Sequence, residues 1–266
     1  MKPSLSPSLP LVRPFMLIVI LVLAVGGLGL SFFPAWAVER WPWSPPPFHT
    51  RFLGAVYLSE FAAVLILLVK NRWAPARLSL SVAVSFTFFV SVASFLHLET
   101  FDFTRRGVWL WFILYVVSFF ISLFLLWHYR REPENASPTP ALWRNILIGQ
   151  ALLYGLYGFG LFLAPETVGA FWPWQIDAFH GSLYSSVFIS GALGNLILAR
   201  VAARIEYLTL GLSQFTFGFF AIVGLFIVDA QVHRVDWTNP GVYLWLALFG
   251  ILIIVGAGLT WQSRAS

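Results

Sequence analysis

The chain contains no cysteine. Disulfides, thiolate metal sites and cysteine nucleophiles are therefore excluded, and thiols say nothing of its compartment. Charge is also scarce. Only 10% of the 266 residues are Asp, Glu, Lys or Arg, where a water-soluble domain carries about a quarter, so the main solvent is lipid. The sequence further lacks a phosphate-binding loop, HExxH, G-x-S-x-G and the dinucleotide glycine pattern, and it has no soluble domain to house such chemistry. Hydrolase and ATPase activities are not expected.

What is abundant is apolar: 59% of residues are hydrophobic, including 27 Phe and 13 Trp. A bilayer core about 30 Å thick needs about 20 apolar residues per helix. Charged and proline-rich breaks delimit eight such runs: Pro14–Phe33, Phe52–Val69, Leu78–Leu98, Gly107–Trp127, Asn145–Leu163, Gly181–Ala199, Glu206–Val228 and Val242–Trp261. Runs such as Val108–Trp127 are apolar on every side, unlike the alternating strands of a barrel. The predicted fold class is all-α, a polytopic transmembrane helical bundle. Lys2, Arg13 and Ala35-Trp36-Ala37 give the first run a signal-like look, but its length exceeds the 7–15 residues of a signal core, and it is read as a span.

The net charge of +5 does not indicate nucleic acid, because the basic residues are spread over short loops. Eleven of the sixteen Lys and Arg fall before the first span, in the even-numbered loops and after the last span. The positive-inside bias then places both termini in the cytoplasm of a multi-pass cell-membrane protein. Glu39, Glu99, Asp102, Glu166, Asp177, Asp229 and Asp236 make the outer side mildly acidic, and Trp41, Trp43, Trp172 and Trp174 are expected there as an interfacial belt. The sequon Asn135-Ala136-Ser137 falls inside, so glycosylation is not expected.

The sequence also matches itself. At an offset of 131 residues, Pro34 meets Pro165, Trp41-Pro42-Trp43 meets Trp172-Pro173-Trp174, and Phe48-His49 meets Phe179-His180. After three inserted residues, Gly107-Val108-Trp109-Leu110-Trp111 meets Gly241-Val242-Tyr243-Leu244-Trp245. The expected organisation is a four-span repeat over residues 1–129, a cytoplasmic proline-rich linker over 130–144 and a second four-span repeat over 145–266. Four spans per copy make the two copies parallel.

The WPW segment, its following Phe-His and Arg51-Phe52-Leu53-Gly54-Ala55 resemble a family of bacterial multi-pass membrane proteins of unassigned function. That resemblance implies a bacterial inner membrane and brings no catalytic residue with it. In size the four-helix unit is similar to DoxX-like four-span proteins.

Candidate ligand-binding residues are few. Glu60 is the acid placed deep inside a span, where a carboxylate is costly and points to function; its repeat counterpart is Gly191. Arg51, Asn195 and Gln214 are its candidate partners. His49 and His180 occupy matching places and suit either axial haem ligation, a metal, or hydrogen bonding at two helix starts. His97, Glu99 and Asp102 read as a solvated outer loop. Ser182, Ser186, Ser190 and Gly194 form a small-residue stripe suited to close helix packing, with a hydroxyl-lined path as the alternative. Gly26, Gly27, Gly29, Gly155, Gly158 and Gly160 are expected to pack helices at the seam between the halves.

Three functions fit. The first is a carrier or binding protein for a small or lipid-like molecule, entered from the outer side between the repeats and lined by Glu60, Arg51, His49 and His180. The second is a non-catalytic subunit whose partners are other membrane subunits or further copies of itself. The third is a haem-bearing or lipid-modifying protein. No catalytic residue and no metal site is assigned, and the cofactor is left open.

Overall fold

The computed structural model describes residues 8–132 and 136–265. Lys2 and residues 133–135 of the linker, which include Asn135 of the sequon, lie outside them. The elements are α1 (Val12–Phe32), α2 (Pro34–Val38), α3 (Pro47–Lys70), α4 (Trp73–Leu96), α5 (Arg106–His128), β1 (Ser137–Pro138), α6 (Ala141–Leu163), α7 (Pro165–Val168), α8 (Ala178–Arg200), β2 (Val201–Ala202), α9 (Arg204–Val232) and α10 (Pro240–Ala265), with a single 3₁₀ turn at Leu98–Thr100. Among the described residues, all but the short α2 and α7 of these α-helices are long and apolar enough to cross a membrane, eight in all. Helices are the form a lipid-exposed chain takes here, because each satisfies its own backbone polar groups. The protein is an all-α multi-pass membrane bundle.

Most spans begin a few residues earlier than composition suggests. Pro47 at the first turn of α3 has its φ preset for helix and no N–H to orphan, so His49 and Arg51 lie within the helix rather than in the loop before it. Asp177 caps α8, its side chain accepting the His180 N–H. Asn71, at φ 44°, ends α3 in the left-handed conformation that Asn tolerates. The linker is not merely a tether. Ser137 and Pro138 pair antiparallel with Ala202 and Val201, and α6 starts at Ala141, four residues before the expected span.

α3 and α8 are the most buried spans. α1 packs on α3 and α6 on α8; α4 packs on α5 and α9 on α10; between the halves, α3 meets α9 and α4 meets α8. The starts of α2 and α7, α3 and α8, and α4 and α9 are 131 residues apart, and those of α5 and α10 are 134 apart.

The glycines expected at the seam work elsewhere. A Cβ on Gly27 would meet Leu58 at 2.9 Å, and one on Gly158 would meet Ile189 at 2.8 Å, so they bring α1 onto α3 and α6 onto α8 inside each half. Such contacts rest on van der Waals packing, since lipid removes any hydrophobic preference between helices. The stripe on α8 does face the other half: Gly194 opposes Val82 of α4, while the hydroxyls of Ser186 and Ser190 donate to Leu183 and Val187 carbonyls of their own helix.

The WPW tryptophans are not a lipid-facing belt. Trp43 and Trp172 are buried and Trp41 and Trp174 half-buried, because the loop folds inward over the bundle. Trp41 and Trp43 pack against Trp111 at ring distances of 5.8 and 5.0 Å; Trp172 and Trp174 pack against Trp245 at 6.0 and 5.4 Å. The exposed aromatics include Trp36, several Phe along the spans, and two pairs of larger rings, Trp109 and Trp127 on α5 and Tyr243 and Trp261 on α10. Each pair is 18 residues apart, about 27 Å along the helix, which places two aromatic girdles at the spacing of a hydrocarbon core.

Candidate functional site

The four candidate residues fall in three places. His49 and His180 come together between the halves, at the end that carries the WPW loops. Both are buried, at 3% and 4% exposure, and their rings lie 3.9 Å apart. Trp43 Nε1–H donates to His180 Nε2 at 3.2 Å, and His180 Nδ1 lies 2.7 Å from Asp177 Oδ2. An indole can only donate, so the His180 proton sits on Nδ1. His49 Nε2 lies 3.2 Å from the Gln175 carbonyl and Nδ1 2.7 Å from the Tyr184 hydroxyl. A carbonyl can only accept, which puts a proton on Nε2 and makes Nδ1 the acceptor for Tyr184. All four ring nitrogens are thus engaged, and a haem iron or metal ion would first have to displace a partner. Burial pushes the Asp177 carboxyl up, but the ring and backbone hydrogen bonds of His180 outweigh it and hold it at about 2.

Arg51 is nine residues before Glu60, half a turn out of phase at 100° per residue. Its stem packs on Gly224 of α9, whereas Glu60 points the other way, so the two do not pair. Asn195 and Gln214 do not reach Glu60 either. The Gln214 amide donates to Asn195 Oδ1 at 3.1 Å and lies 3.4 Å from Gln150 Oε1.

Glu60 faces a cavity of about 210 Å³ enclosed by α1, α3, α4 and α5. Among the described residues the structure shows no hydrogen bond or ion pair to its carboxylate. The wall is mainly apolar, from Met16, Val19, Leu23, Val64 and Phe86. Beside Glu60, the hydroxyls of Tyr57 and Tyr115 bond to each other at 2.9 Å. Toward the other end, Ser79 and Ser122 also line the cavity, and their buried hydroxyls have no hydrogen-bond partner among the described residues. From Trp111 to Ser122 the cavity runs about 16 Å along α5. Ile18 of α1 and Ile113 and Val117 of α5 are lining residues that are also exposed, so the mouth opens sideways into the bilayer, within the first four spans and not between the halves. Tyr115 lies six residues below the girdle residue Trp109, and Glu60 about one turn below Tyr57; Glu60 is therefore about 13 Å from the girdle, near mid-bilayer.

The second half is packed differently at the equivalent positions. Gly191 stands at the position equivalent to Glu60, with the Tyr154 ring beside it. Gly218 and Gly256 replace Thr87 and Ser122, and α9 closes onto α10 so tightly that a Cβ on either glycine would lie 2.6 Å from a backbone oxygen of the facing helix.

One buried group escaped the sequence reading. Glu206, fully buried in the first turn of α9, receives Arg77 Nε at 3.1 Å and Nη2 at 2.8 and 3.0 Å, and also the Ala203 N–H at 2.8 Å. A Glu at the third helical position was the available signal; its Arg partner is 129 residues away. His97 and Glu99 do approach at 3.4 Å in the loop between α4 and α5, while Asp102 binds Thr104 and Arg105 instead.

No family model, curated protein or solved structure matches the chain. The site is therefore read from its own chemistry.

Proposed function

We propose that the protein binds or carries a narrow, mostly apolar small molecule bearing one hydrogen-bond donor, held in the cavity of the first four spans with its polar group on Glu60. The observation that supports this most is an unpaired mid-bilayer carboxyl facing an apolar cavity that opens to lipid. A carboxylate in such a place is costly unless a donor or a proton satisfies it. The Ser79 and Ser122 hydroxyls, without a hydrogen-bond partner among the described residues, add further unmet capacity toward the other end of the same cavity. Arg51, His49 and His180 are left out of the ligand contacts in this reading.

The same reading takes the chain as a fused duplication whose two halves are related by a pseudo-two-fold axis passing near His49 and His180, with one copy keeping the cavity and the other closed by glycine contacts. The paired tryptophan triangles and the 131-residue spacing of helix starts support it. The distribution of Lys and Arg supports a bacterial inner-membrane orientation with both termini in the cytoplasm.

The test is native mass spectrometry of protein extracted in mild detergent, beside Glu60→Gln. The expected result is a bound small molecule on the wild type that falls at least tenfold on Glu60→Gln, with unchanged elution and melting. Equal occupancy in both proteins, or a co-purifying polypeptide with no small molecule, would overturn the reading; the latter outcome is that of a membrane-complex subunit.

A further inference from the structure

A second, separate cleft lies at the end of the bundle that carries the termini. It has a volume of about 730 Å³ and is walled by the α3–α4 turn, the start of α9, the β1 segment and the end of α10. Lys70, Arg72 and Arg204 line it, and the structure shows no hydrogen bond or ion pair for any of the three among the described residues. The nearby acid, Glu206, is fully buried and bonds Arg77 and the Ala203 amide.

The backbone adds to this field. Ala74 lines the cleft at the start of the 24-residue α4, whose N-cap Arg72 supplies no side-chain cap and whose Pro75 has no N–H to contribute. The first-turn amides of a long helix attract negative charge. Asn71 makes the tight turn that holds Lys70 and Arg72 on either side of it. Pro138, Ile205 and Leu208 form apolar wall beside these cations. The volume is within the range of small-molecule sites.

We infer that this cleft binds a phosphate ester: Lys70, Arg72 and Arg204 hold the phosphate, and Pro138, Ile205 and Leu208 take the organic part. On the orientation proposed above, the cleft sits at the cytoplasmic membrane surface, where anionic headgroups are the abundant source of that chemistry and a soluble phosphate ester is the other. The inference does not depend on the Glu60 cavity.

The test uses the full chain in phosphatidylcholine nanodiscs containing a minor fraction of phosphatidylglycerol, with retained lipid counted by native mass spectrometry. Wild type is expected to retain phosphatidylglycerol selectively. Near a membrane surface each cation contributes about a fivefold change in binding, so Lys70→Gln/Arg72→Gln/Arg204→Gln is expected to lose it about a hundredfold. In a second arm, displacement by glycerol phosphate or inorganic phosphate without lipid selectivity assigns the site to a soluble ligand. Binding of neither, or an equal loss in Arg13→Gln/Arg131→Gln, which removes cations outside the cleft, overturns the inference. Should the triple variant fail to melt cooperatively, Arg204→Gln alone, at an exposed position, is expected to show the fivefold loss.

Discussion

Replacing Arg77 by Met takes the guanidinium away from a carboxylate that water cannot reach. Glu206 is 0% exposed and Arg77 12%, and the guanidinium supplies three of the four hydrogen bonds described above. Removing one partner of a buried pair costs about 3–5 kcal/mol, because the remaining charge is left uncompensated. The Ala203 N–H continues to donate to Glu206, which puts the expected loss for Arg77→Met at the lower end, about 3 kcal/mol. The double variant Arg77→Met/Glu206→Met removes the charge as well and is expected within about 1 kcal/mol of wild type, since apolar replacement of a buried pair is often neutral. Reversible unfolding in mixed dodecylmaltoside and dodecyl sulfate micelles, followed by tryptophan fluorescence, measures the wild type, Arg77→Met, Glu206→Met and the double variant. Two results refute the reasoning. One is an Arg77→Met loss no larger than that of the exposed Arg131→Met, about 0.5 kcal/mol; the other is a double variant as unstable as the sum of the singles, which would mean no coupling.

Other outcomes follow from single contacts. Gly158→Ala forces a Cβ to 2.8 Å from Ile189 Cγ1 and 3.0 Å from its backbone N, and is expected to cost about 1–3 kcal/mol; Gly149→Ala, with nothing within 4 Å, should match or exceed wild-type stability in the same unfolding assay. Trp43→Phe deprives buried His180 of the indole that donates to its Nε2 and should cost about 1–2 kcal/mol, more than Trp41→Phe, whose indole N–H has no hydrogen-bond partner among the described residues. The Asp177 carboxyl, lowered from 3.8 to about 2, stabilises the folded state above pH 3.8 and loses that contribution as pH falls toward 2. Melting temperatures measured across that window should fall more steeply for wild type than for Asp177→Asn.

The eight spans were legible because lipid imposes one rule on every residue of a span, and that rule shows in composition. The offset that pairs Trp41-Pro42-Trp43 with Trp172-Pro173-Trp174 was equally plain, since two tryptophans around a proline are rare in any register. The site was harder to see. Glu60 stood out as a charge where charge is expensive, but which helix face it occupies depends on a helix start fixed by Pro47, and the nine-residue phase to Arg51 then separates the two. The tryptophans misled because an amphipathic indole suits both a membrane interface and a buried hydrogen bond, and only the inward fold of the loop decides between them. Contacts such as Arg77 with Glu206 or Trp43 with His180 join residues more than 120 positions apart, and no local pattern in the chain encodes them.

The girdles about 27 Å apart on α5 and α10 make the protein a gauge of acyl-chain length. A thicker bilayer must thin around the bundle or leave Trp109 and Tyr243 below the headgroups, and a thinner one must tilt the spans. Tilt of α5 relative to α1 would act directly on the lateral mouth between Ile18 and Ile113. On the proposed function, lipid tail length would then act on access to Glu60 with no change in the sequence.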